Sequence, residues 1–213
     1  MRKRNLVCKQ ALIFFGLTLI SYLTTLMLAL FLKPAPLANI LGFLALVTYL
    51  ATLLPSIVKT VFPTTKGSKF IACLLRHRRY IGITAFAFGL DHGFILIIQK
   101  DINLLDLHTY VEYFQGISIL IIFTLLAITS NNWSVKKLKA NWKKLHQLTY
   151  LVIFLMPWHI LDKMSGHWSY LTPLGVLLSI TTVVLFLRRR CIEVVESKRK
   201  QETKKNSKAL EEV

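Results

Sequence analysis

Long apolar runs alternate along the chain with short polar intervals that are mostly basic. Six runs stand out, at about residues 11–32, 37–58, 80–99, 113–130, 145–162 and 169–187. Each approaches the roughly 20 residues a helix needs to cross the hydrocarbon of a bilayer. Inside lipid only a helix satisfies its own backbone, so each run is expected to be helical. The pattern predicts an all-α integral membrane protein, a six-helix transmembrane bundle. Composition agrees: 54% of the 213 residues are hydrophobic and the mean hydropathy is +0.53, too high for an ordinary soluble domain of this length.

Charge adds the orientation. The net charge of +17 would suit nucleic acid, but 24 of the 27 Lys and Arg fall in four blocks, residues 1–10, 59–79, 136–144 and 188–208. The opposite ends of the runs hold only Lys33, Lys100 and Lys163, beside Asp101, Asp106, Glu112 and Asp162. This alternation fits the positive-inside rule with both termini cytoplasmic, so no nucleic-acid partner is expected. The first run, about 22 residues long, exceeds a secretory h-region and lacks an A-x-A-like site, so it is expected to be a retained span. The natural division is a six-span domain over residues 1–190 and a basic cytoplasmic tail over 191–213. The tail is expected to be solvated and partly disordered, with contact to anionic lipid as the other reading.

Cys8, Cys73 and Cys191 all fall on the expected cytoplasmic side, where thiols stay reduced. The sequence contains no CxxC or CxxCH, hence no sign of a zinc ribbon or covalently attached haem. It also lacks GxGxxG and GxxxxGK[ST], and its intervals are too short for a soluble domain. A nucleotide serving this chain would therefore bind on another polypeptide. The prolines of "KPAP" oppose helix continuation and suggest an outer hairpin.

The histidines carry the chemistry. His92 and His159 lie within apolar runs, and His146 lies at the cytoplasmic end of the fifth. His77 is juxtamembrane, while His108 and His167 fall in outer intervals. Ionisable residues within spans usually face the bundle interior and mark function. Thirteen residues at 1.5 Å rise place His159 about 20 Å from His146, toward the outer face. The third run starts at "RHRR", and His92 follows Arg79 by 13 residues, so His92 and His159 share a depth on two helices. Neutral imidazole is a good axial ligand for haem iron. A bis-histidine haem between the third and fifth spans follows, with His146 placed for a second one nearer the cytoplasm. On one ideal helix His146 and His159 differ by roughly 140° in direction. Pro157 is the expected place for the helix to kink or re-phase.

"RRYIGITAFAFGLDH" followed by "LAITSNNWSVKKLKANWKKLHQLTYLVIFLMPWH" resembles the ferric reductase-like transmembrane family, in particular bacterial members of the MsrQ (YedZ) type. Haem domains of ferric reductases and NADPH oxidases are more distant likenesses. The matching features are the paired arginine with His92 beyond it, the "LA-x-TS" close of the fourth run, and "W-x-x-LH" with a second His 13 residues on.

The resemblance implies a b-type haem conduit, running from a cytosolic flavin or NAD(P)H reductase to an outer acceptor. That acceptor is a methionine sulfoxide reductase partner, or ferric iron or oxygen. Such a chain is an oxidoreductase subunit without catalytic residues of its own. His92 and His159 carry over as outer-haem ligands and His146 as an inner-haem ligand. The second inner ligand of the oxidase branch falls on Arg78, with His77 one position away, so one or two haems remain open. Some relatives suggest FMN at the cytoplasmic loops. Arg76, Arg78 and Arg79 suit haem propionates or a flavin phosphate, and equally mark the membrane boundary. Asp91 is read as a tuner of the outer haem, a proton relay or an outer-facing carboxylate. The tryptophans and tyrosines near span ends are read as interfacial anchors. A haem-free transporter or assembly factor is the alternative class.

Overall fold

The computed structural model describes residues 34–103, 105–163 and 169–211. The first apolar run, Cys8, His167 and Trp168 lie outside these. Every regular element described is helical: α1 Pro34–Val61, a 3₁₀ turn Pro63–Gly67, α2 Lys69–Gln99, α3 Leu107–Glu112, α4 Phe114–Ile128, α5 Asn132–Leu138, α6 Ala140–His146, α7 Thr149–Lys163 and α8 Leu171–Glu211. Pro34 opens α1, where a missing N–H costs nothing because the first turn has no partner for it.

Five of these helices close into a ring. α1 packs on α2 and α8, α4 packs on α2 and α7, and α7 returns to α8. The interior is largely apolar. Leu46, Leu53 and Ile57 of α1 and Val152 and Ile153 of α7 are fully buried. The outside is apolar too: Leu90, Phe94 and Ile98 on α2 and Leu177, Ile180, Val184 and Leu187 on α8 are exposed at helical spacing. Helices apolar on all sides belong in lipid.

Three helical stretches are long and apolar enough to cross a membrane, Leu37–Val61, Lys69–Gln99 and Leu171–Thr203. The fourth and fifth runs give shorter helices than expected. α4 and α7 have 15 residues each, about 22 Å of helix against a hydrocarbon core of about 30 Å. At the end of α4, Thr129 and Ser130 turn their hydroxyls back onto the carbonyls of Leu125 and Leu126, each at 2.6 Å. The chain then bends by 94° into α5, and counting this pair as one span would make a fourth. Asn131 caps α5 by accepting from the Ser134 N–H at 2.7 Å.

Two boundaries differ from expectation. α2 starts at Lys69, capped by Ser68, so Arg76, Arg78 and Arg79 sit on a helix rather than in a loop. α8 continues without a break through residue 190 to Glu211. Where its side chains are described the tail is mostly exposed, and its backbone is helical rather than irregular. Its Lys, Arg, Glu and Gln are good helix formers, and Arg189 pairs with Glu193 one turn on at 2.7 Å.

At the basic end of the ring, Tyr49 of α1 donates its hydroxyl to the Thr149 carbonyl at the start of α7, 2.6 Å away and fully buried. Tyr49→Phe removes this link and leaves the rest of the ring packed. It is expected to cost about 1 kcal/mol and to lower the thermal midpoint in detergent by about 2–4 °C. An unchanged midpoint would show that the hydroxyl contributes nothing.

Candidate functional site

Toward the acidic end of the ring, α2 and α7 face each other across the interior and bring two imidazoles together. The His92 and His159 rings lie 6.4 Å apart, centre to centre, and nearly perpendicular at 87°. The depth match read from sequence is thus realised as contact between helices that are not neighbours in the ring. His92 Nδ1 is 2.7 Å from the carbonyl oxygen of Ala38. A carbonyl only accepts, so Nδ1 carries the proton and Nε2 keeps its lone pair free. His159 Nδ1 is buried without a hydrogen-bond partner among the described residues.

Each imidazole rests on a glycine of a flanking helix. A Cβ on Gly42 of α1 would lie 3.1 Å from both Cε1 and Nδ1 of His92. One on Gly116 of α4 would lie 3.0 Å from Cε1 of His159. Sequence reasoning passed over both positions. A glycine inside a span, unfavourable in a helix by itself, is the signal that could have found them. Asp91, beside His92, is half-buried and has no hydrogen-bond partner among the described residues.

His146 stands elsewhere, at the basic end, and not on the helix that carries His159. It closes α6, while α7 begins at Thr149. The link between them is wound tightly: Leu148 N–H reaches Leu145 O, Tyr150 N–H reaches Gln147 O and Leu151 N–H reaches Leu148 O. These are 3₁₀-type bonds, and they change the helical phase here rather than at Pro157, which α7 passes through. The angular conflict between the two histidines came from assuming one helix.

His146 Nε2 lies 3.3 Å from Thr129 Oγ1, and the Trp142 ring stacks on the imidazole at 4.1 Å. Trp142 also donates its indole N–H to the Thr129 carbonyl at 3.0 Å. The "LA-x-TS" and "W-x-x-LH" motifs therefore interlock, and Trp142 does more than anchor at an interface.

Together with His77, Arg76, Arg78 and Arg79, His146 and Trp142 line a cavity of about 730 Å³. Its lining includes no Asp or Glu and adds Lys143 to the three arginines. An anion is the ligand such a wall suits. His77 is half-buried, with Nδ1 at 3.0 Å from the Cys73 carbonyl. Arg79 donates to Asn132 Oδ1 at 2.9 Å and so ties α2 to α5. The site thus has two parts, a histidine pair at one end of the ring and a basic cavity at the other.

A family model described as ferric reductase like transmembrane component matches residues 41–157. That is more than half of the chain and takes in His92 and His146. The chain belongs to this family and is a multi-pass integral membrane protein. Among the relatives it is similar to is the protein-methionine-sulfoxide reductase heme-binding subunit MsrQ of Yersinia enterocolitica, 35% identical over 54% of the chain and 59% of the relative. The protein of the same name from Yersinia pseudotuberculosis is 33% identical over 70% of each chain. In the first of these alignments the chain spans less than two thirds of the relative's length. No solved structure matches the chain.

Proposed function

We propose that this chain carries electrons across the membrane through b-type haem, with His92 and His159 as axial ligands of an outer haem between the third and fifth of six spans, both termini being cytoplasmic. The observation that carries the reading is the pair of facing imidazoles, one already holding its proton on Nδ1.

The residues fit such a group. The ring centres stand 6.4 Å apart, close to what two metal–imidazole bonds of about 2 Å would span, so His92 and His159 would be the residues that hold the iron. Among the described residues no three His, Cys, Asp or Glu converge as a metal cage. Haem brings its own equatorial donors and asks the protein only for axial ones. Bound there, it supplies a one-electron carrier inside the bilayer. The chain's own part is to orient the imidazoles through Ala38 and the two glycines and to exclude water with a largely apolar interior.

The basic cavity takes a second anionic redox cofactor, either a haem ligated by His146 with the arginines on its propionates, or FMN with the arginines on its phosphate. Its place at the basic end suits loading by a cytosolic flavin or NAD(P)H reductase. The names of the relatives support a methionine sulfoxide reductase as outer partner; ferric iron and oxygen are the other acceptors. The chain is then an oxidoreductase subunit rather than a self-contained enzyme.

The test is a reduced-minus-oxidised visible spectrum of the purified full chain, with haem and extractable flavin measured per chain. Sharp b-type bands with about one or two haems per chain are expected. Their absence after expression with haem supplied would overturn the reading. His146→Leu is expected to keep the outer haem and to remove the cofactor of the basic cavity. Unchanged haem and flavin contents in that variant would take His146 out of the site.

A further inference from the structure

Among the described residues three buried side-chain polar atoms have no hydrogen-bond partner, and Gln99 Nε2 at the end of α2 is one of them. The other two belong to neighbouring helices and are complementary. His159 Nδ1 is one, and Oε1 of Gln115 is the other. With Nε2 of His159 committed to a metal, Nδ1 must carry a proton, and a carbonyl oxygen such as Oε1 can only accept. A buried donor and a buried acceptor left apart each cost desolvation energy that a bond between them would recover.

Their surroundings bring them together. Gln115 immediately precedes Gly116, whose backbone lies against the His159 ring. The Gln115 amide is turned by a second contact, its Nε2 donating to Asp162 Oδ2 at 3.3 Å. Asp162 follows His159 by three residues on α7, on the same helical face. It is held in turn by Lys163 at 3.1 Å, which also donates to the Glu112 carbonyl at 2.6 Å. A carboxylate only accepts, so this contact fixes which end of the amide is NH₂ and leaves Oε1 for another donor.

We propose that Gln115 is the positioning residue of His159: its Oε1 accepts the Nδ1–H, with Asp162 orienting the amide. The two atoms are not bonded in the structure; a shift of the Gln115 side chain that keeps Nε2 on Asp162, or one intervening water, would close the contact. It gives His159 the restraint that Ala38 gives His92. The inference rests on the haem reading above. An acceptor on Nδ1–H makes a ligand imidazole more basic and favours ferric over ferrous iron.

Redox titration of the full chain in detergent, loaded with haem, tests this with Gln115→Leu and Gln115→Glu. Gln115→Leu is expected to shift the equilibrium toward the reduced form by up to about tenfold, about 59 mV for one electron. Gln115→Glu, a stronger acceptor, should shift it the opposite way. The shift in the neutral variant Gln115→Leu is the discriminating sign, because the added charge of Gln115→Glu favours ferric iron even without the hydrogen bond. Equal potentials in wild type and both variants would overturn the proposal, and haem loss in both would assign Gln115 to packing and overturn it as well. If Gln115→Leu alone loses haem, the sign in the neutral and slimmer Gln115→Met decides. A wild type without haem bands would instead fell the haem reading itself.

Discussion

His159→Ala is expected to empty the outer haem site, and His92→Ala to do the same. Each removes one of two imidazoles that meet across the ring, and no third His, Cys, Asp or Glu converges on them among the described residues. Loss of an outer-shell partner alone typically costs 10–100-fold in metal affinity, so loss of a direct ligand should lower occupancy by more than about tenfold. The largest fully buried side chains, among them Leu46, Leu53 and Ile57 of α1 and Val152 and Ile153 of α7, are aliphatic and remain in place in either variant. Helix content by circular dichroism should hold while haem per chain falls. Added free imidazole should restore part of the bands by entering the space the side chain left. Full haem retention in either variant would exclude that histidine as a ligand.

Gly116→Val and Gly42→Val are expected to approach the same loss without touching a ligand. The imidazole beside each glycine already sits where a Cβ would be 3.0–3.1 Å away. A free histidine can swing aside, but one pinned by iron on one edge and by a carbonyl on the other has no room to do so. Valine is a better helix residue than glycine, so the helix itself should be no weaker. The predicted signature is a chain that expresses and folds normally yet binds little haem. Alanine at either position should be intermediate, requiring a shift of only a few tenths of an ångström. Normal haem content in both valine variants would mean that the imidazoles move from their present positions when haem binds.

The histidine pair was legible because depth along a span follows from residue count alone. Arg79 marks one boundary, 13 residues reach His92, and the same count leads from His146 to His159. Phase was not legible. The tight winding between His146 and Thr149 has no Pro or Gly to announce it. It is imposed from outside, by Trp142 docking on Thr129 and by the 94° bend after α4. Pro157 offered a local reason to break the helix, and tertiary packing overrode it. The lengths of α4 and α7 were hidden likewise, since an apolar run does not reveal where its helix will end. The tail misled in a different way: its charge suggested partial disorder but says nothing against helix.

α8 has a consequence for traffic at the cytoplasmic face. Forty-one residues of continuous helix measure about 60 Å, roughly twice the hydrocarbon thickness. The helix therefore stands well clear of the bilayer as a charged post, on the α1–α7 side of the ring and across from α2 and α4. On the proposed topology, a bulky soluble donor seeking the arginine-lined cavity would meet this post on one flank and open water on the other. The direction of docking is thereby narrowed by shape before any specific contact forms.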